Sequence, residues 1–145
     1  MPTQIFPYAN IVAGILVFVV GFIFHWVGQL ISTIDWNFAT NIGFQEKKLI
    51  PEYIVYEHAI AAADVAIGWI YGIAGVGLIL NVSWAFKLAW FPAVIMIYHS
   101  FSFWFWVGNQ NKSGHPITSN VFRVVWFLAN FVTGVLAVLV AWNAY

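Results

Sequence analysis

The sequence predicts an all-α integral membrane protein, a four-helix transmembrane bundle with up-down topology, and three observations carry that expectation. Of the 145 residues, 63% are hydrophobic and only 7% are charged, against roughly 25% charged in a soluble domain. Four apolar runs, at 11–31, 56–80, 86–106 and 121–141, are each long enough to cross ~30 Å of hydrocarbon, which takes about 20 residues of helix. The runs are continuous rather than alternating, and barrel strands are about half as long, so β-strands are excluded as the spanning element.

The first run, 11–31, is too long for the apolar core of a signal peptide, and Met1 to Asn10 contains no Lys or Arg. It therefore reads as a spanning helix rather than a cleavable leader. The connection that follows holds Asp35, Glu46, Lys47, Lys48 and Glu52, and Pro51 caps an interfacial segment within it. It is too short for a separate domain. The second run ends in a tight turn at 81–83. The third contains Pro92, which either falls in the first turn of a helix starting near Phe91 or kinks a longer one. Residues 108–120 are rich in Asn, Gly and Ser with Pro116, and read as loop. No internal repeat or low-complexity tract is present, so one transmembrane domain over 1–145 is expected.

Lys and Arg bias sets the orientation. Lys47, Lys48, Lys112 and Arg123 lie in or beside the first and third connections, against Lys87 alone on the opposite face. Both termini are thus expected outside and the first and third connections in the cytoplasm, most simply of a prokaryotic cell. Tyr8, Trp36, Tyr53, Trp84, Trp90, Trp104, Trp106, Trp142 and Tyr145 cluster at run ends as an aromatic belt. The Phe-Trp-Phe-Trp stretch ending at Trp106 also reads as the wall of a lipid or cofactor groove.

Lys+Arg 5 balance Asp+Glu 5. There is no basic patch, so nucleic acid is not an expected partner. The absence of Cys removes disulfides, thiolate chemistry and Cys-based zinc or iron–sulfur sites. There is no Gly-rich phosphate loop, no His-Glu-x-x-His and no Ser-His-Asp constellation.

What remains is a set of polar stripes at helical spacing. Gly14, Phe18, Gly21, His25, Gly28 and Ser32 share one face of the first run. Glu57, Ala61, Asp64, Gly68, Tyr71 and Gly75 share one face of the second, where Gly68-x-x-x-Gly72 adds a close-contact motif. His99, Ser102 and Trp106 align in the third run, and Arg123, Asn130, Gly134 and Ala137 in the fourth. Alternating helix direction brings His25, Glu57, His58, His99 and Arg123 into one leaflet, with His115 in the adjacent loop. At ~1.5 Å per residue, Glu57 and Arg123 lie near the surface, His25 and His99 about two turns in, and Asp64 and Asn130 slightly deeper.

Ionisable groups inside a spanning segment cost ~2.5–3.5 kcal/mol each at its centre and are retained where partners or water offset that cost. Three readings stand at this point. Arg123 pairs with Glu57 and Asp64 hydrogen-bonds Asn130, a structural arrangement. Glu57, Asp64, Arg123 and Asn130 form a proton or ion path. Or His25 and His99 ligate haem from two helices, or a transition metal together with Asp64 or Glu57. His58 is expected at the interface and His115 in solvent. Expected partners are lipids and either other membrane subunits or further copies of the chain. A small subunit of a larger membrane-bound enzyme or electron-transfer complex is the leading expectation. The alternatives are a homo-oligomeric proton- or ion-coupled transporter or channel, and a small haem or metal protein.

Overall fold

Long apolar segments become helices because each N–H and C=O then finds its partner within the same segment. The computed structural model describes residues 5–144, so Tyr145 and the first four residues of the N-terminal stretch lie outside it. Among the described residues there is no strand. Four helices are long and apolar enough to cross a membrane: Ala9–Ile34, Pro51–Ile79, Ser83–Lys112 and Asn120–Asn143. A short helix, Trp36–Ile42, lies between the first and second.

Each long helix outruns its apolar run, and local chemistry sets the ends. The second begins at Pro51, behind an extended Ile50, because the missing proline N–H is one that a first turn leaves unpaired anyway. The Asp35 carboxylate accepts from the Phe38 N–H (2.9 Å) to start the short helix, and Gly43 at φ 90° ends it. The Ser119 hydroxyl accepts from the Phe122 N–H (3.1 Å) at the start of the fourth.

The third helix begins earlier than its apolar run and has a joint at Ala89. Pro92 falls in the first turn of the continuation, Trp90–Lys112, where it removes one bond without breaking the axis. The same helix runs on to Lys112 through residues expected to be loop. Tertiary packing overrides their propensity here: Gln110 is buried, and Gly108 lies under the Arg123 side chain. Within the first helix, Val17–Val27 takes the wide i→i+5 turn of a π-helix, a form concentrated at functional sites.

Glycine sets how closely the first and second helices approach. A Cβ on Gly14 would stand 2.7 Å from the Gly75 carbonyl oxygen, and one on Gly75 2.9 Å from that of Gly14. Phe18, Phe22 and Trp26 stack on one another, with ring centroids 5.2 and 4.9 Å apart. They lie against Gly75, Gly72 and Gly68 respectively. The close-contact motif at 68 and 72 is thus the floor for an aromatic ladder. Trp26 adds a bond from its indole N–H to the Val65 carbonyl (3.0 Å). The third and fourth helices pair in the same manner, with Gly134 against Ala93 and Ile97.

The two pairs meet at one end and part at the other. At the end holding Ala9, the core is Ala9, Ala13, Leu78, Ala85, Ala89, Val140 and Ala141. There the Asn10 side-chain amide donates to the Leu78 carbonyl (3.0 Å), fixing the turn at residues 80–82. At the other end, the last turns of the first helix, Gly28–Ile34, touch the second helix and the short helix but neither the third nor the fourth. The second and fourth helices do not approach at all. The first connection fills the resulting gap. Phe44 packs its ring against Gly28, and the Gln45 amide donates to Gln29 Oε1 (3.2 Å) and Ser32 Oγ (3.0 Å). Leu49 reaches across to Phe103, Val107 and Ile117.

Candidate functional site

Above that plug, three helices bring four polar side chains together. His25 projects from the wide-turn stretch of the first helix and is 8% exposed. Its Nε2 lies 2.6 Å from Asn130 Oδ1 on the fourth helix. The Asn130 amide nitrogen donates to the Trp126 carbonyl (2.9 Å), so Oδ1 is the accepting end and His25 Nε2 carries the donated proton. On the third helix, His99 Nε2 accepts from the Trp126 indole N–H (3.2 Å). An indole only donates, so neutral His99 carries its proton on Nδ1. The two imidazoles are therefore held in opposite tautomers. Their rings are perpendicular (86°), with centroids 4.4 Å apart.

Trp126 frames the pair, its ring 5.0 Å from His25 and 6.3 Å from His99. The second helix contributes Tyr71, whose ring centroid is 6.4 Å from that of His25 and whose Cγ lies 3.0 Å from where a Cβ on Gly21 would be. Among the described residues, Nδ1 of neither histidine has a hydrogen-bond partner.

From Tyr71 the second helix leads to the carboxylates. Ala61, Gly68, Tyr71 and Gly75 are buried, so the stripe they share with Glu57 and Asp64 is the face turned into the protein. Glu57 and Asp64 are half-buried on it. Asp64 lies within electrostatic range of Tyr71 and of Glu57, and Glu57 within range of Glu46 in the first connection. Burial holds the Glu46 carboxyl above the usual carboxylate range. The order Glu46, Glu57, Asp64, Tyr71, His25, His99 is a row of protonatable groups running from the plugged end inwards.

Other candidates are placed elsewhere. Among the described residues Arg123 pairs with no carboxylate. Its Nη2 donates to the Trp104 carbonyl (2.6 Å), and the guanidinium stacks 3.9 Å from the Trp104 ring centroid. Asp64 does not bond Asn130, which is committed to His25 and Trp126. His58 is exposed, its ring 6.1 Å from that of Trp36. His115 is exposed in the connection before the fourth helix.

No group of three His, Cys, Asp or Glu among the described residues is placed to hold a metal ion, so His25 and His99 meet without Asp64 or Glu57 completing a ligand set. With the rings 4.4 Å apart and perpendicular, no haem plane fits between them in this arrangement. The chemistry the arrangement does offer is proton exchange at two imidazoles with fixed hydrogen-bond directions.

Trp126 and Tyr71 complete the site beyond the residues that charge alone marks out. Trp126 lies at spacings of three and four from Arg123 and Asn130, the same periodicity that defines the stripe. Comparison with protein-family models, with characterised proteins and with solved structures finds no match to the chain.

Proposed function

We propose that the chain is an integral membrane protein whose helices cross up and down, with both termini outside, and that it conducts protons or a coupled cation through the leaflet holding its polar row. The observation that supports this best is the line of Glu57, Asp64 and Tyr71 on the inward face of one helix, ending at the His25–His99 pair. Carboxylates half-buried at membrane depth need water or a titratable neighbour, and Glu57, Asp64 and Tyr71 are such neighbours to one another along the helix face. Water entering past the plug protonates Asp64. The proton then passes by Tyr71 and intervening water to His25 Nδ1. The imidazolium so formed keeps its Nε2–H on Asn130. Two imidazolium charges 4.4 Å apart repel strongly at low dielectric, so the pair takes up one extra proton at a time and titrates as a unit.

Purified protein in liposomes carrying a pH-sensitive dye tests the proposal. An imposed potential should drive acidification that Asp64→Asn reduces by at least tenfold with the fold retained. Unchanged flux in Asp64→Asn, or none above empty liposomes for the wild type, sinks it.

A second reading, as a small subunit of a larger membrane-bound enzyme or electron-transfer complex, draws support from the first half of the second helix. From Pro51 to Ile67 only Ala61 is buried, leaving Val55, Tyr56, Ile60 and Ile67 uncovered. Such a face suits partner helices or another copy of the chain as well as lipid. Recovery of only the chain itself from native membrane in mild detergent removes that reading. A visible-range spectrum with metal analysis decides between proton exchange and a bound haem or metal at the histidines.

A further inference from the structure

All five acidic side chains of the sequence, Asp35, Glu46, Glu52, Glu57 and Asp64, precede residue 65, whereas Lys87, Lys112 and Arg123 follow it. The third and fourth helices therefore carry cations and no acidic side chain. Between them, on the outer surface, is a groove of about 250 Å³ lined by Phe101, Trp104, Phe105, Val124, Phe127 and Leu128. It begins one turn inside the start of the fourth helix and runs towards the middle of the pair.

Arg123 lies beside this groove, stacked on Trp104 of its wall. Its guanidinium rests on the Trp104 ring, which is also groove wall, and lies over Gly108, where a Cβ would stand 2.7 Å from Nη2. Any other residue at 108 would push it out. Nη2 is satisfied by the Trp104 carbonyl, but Nε is buried without a partner and Nη1 takes no acceptor among the described residues. A permanent cation is thus held by a ring and a glycine slot beside an apolar groove, with the Nη1 donors left over. An arginine in this position is matched by a phosphate, which accepts two of its N–H groups at once.

We infer that the groove between the third and fourth helices binds an anionic phospholipid, an acyl chain along Phe101, Phe105 and Leu128 and the headgroup phosphate on Arg123. This rests on the membrane-spanning reading above and not on the proton path, from which Arg123 stands apart. Depth supports it, because the cation lies about one turn from the helix start, where headgroups are, and the groove continues inwards, where tails are.

Native mass spectrometry of detergent-extracted protein titrated with phosphatidylglycerol or phosphatidylcholine tests the inference. Wild type should retain the anionic lipid about fivefold better than the zwitterionic one, the effect of one basic side chain near a membrane surface. Arg123→Lys, which keeps the charge but not the two-pronged grip, should lower that preference, and Arg123→Gln abolish it. Leu128→Trp, which fills the groove on an exposed position, should weaken both lipids while leaving Arg123 in place. Equal retention of the two lipids by wild type, an unchanged preference in Arg123→Gln, or undiminished binding in Leu128→Trp each overturns the site. Recovery of the protein from the soluble fraction would instead overturn the membrane reading, and so the two failures are distinguishable.

Discussion

The two ends of the bundle solve the packing problem in opposite ways. At the end holding Ala9 and Val140, alanine and glycine let backbones touch, as at Gly14 and Gly75, and a single amide, Asn10, serves the turn. At the end holding Ser32 and Ile117, the helix pairs part, a connecting segment is drawn in between them, and glutamines replace alanines as fastenings. The polar row lies on the parted side of this division. Buried polar groups need partners or water. At the tight end Asn10 takes its partners from the turn, and the longer polar row sits where the helices separate.

The sharpest way to break that contrast is to put bulk where the backbones meet. Gly75→Leu drives a side chain into the Gly14 carbonyl oxygen and the Phe18 backbone nitrogen, each 2.9 Å from where a Cβ on Gly75 would stand. It should cost more than ~3 kcal/mol, seen as loss of folded protein in a detergent unfolding titration. Ala62→Leu on the exposed face of the same helix should stay within about 0.5 kcal/mol of wild type.

Next in size is the seam between the pairs. Asn130→Leu strands the His25 Nε2–H in a buried site and should cost ~2 kcal/mol. Asn130→Asp, which keeps the acceptor, should recover part of that loss in the same titration. At the parted end the effect shrinks. Gln45→Ala removes both bonds to the first helix and should cost about 1 kcal/mol, read as faster amide exchange across residues 43–49 with the long helices unchanged.

The plug should also answer to pH. Burial raises the Glu46 pKa in the folded protein above its unfolded value. Its stabilising contribution is then fully present below the unfolded pKa and is lost as pH rises through the raised one. Amide protection of residues 43–49 should therefore fall from acidic towards higher pH, and Glu46→Gln should flatten that dependence. Smallest of all, His58→Gln should change neither stability nor proton flux, because the side chain is exposed beside Trp36.

Hydropathy made the four long helices legible, and spacings of three and four made His25, Asp64, Tyr71 and Asn130 legible as inward-facing groups. The ends were harder to read. Asn109, Gln110 and Asn111 have loop composition, yet the third helix continues through them because Gln110 is buried and its carbonyl accepts from Ser113 and His115. Charge complementarity pointed Arg123 at Glu57, but the second and fourth helices do not approach, and the guanidinium takes an aromatic face and a carbonyl instead. Trp126 was hidden by its own abundance, since one indole among nine Trp looks like lipid-facing bulk. The wide turn around His25 has no composition signal at all.

The His25–Asn130 hydrogen bond joins residues 105 apart in the chain, whereas the glycine contacts that build each pair link neighbouring helices. Contacts between chain neighbours close cheaply and early, while remote ones wait until the intervening segments are ordered. Closing the His25–Asn130 contact therefore needs the fourth helix in place. His25 and His99 stand on the first and third helices, and the tautomers of both are fixed only when the fourth helix brings Asn130 and Trp126 to them. A chain ending before Trp126 would carry His25 and His99 without either of these hydrogen bonds, which makes the two bonds markers of the fourth helix's arrival.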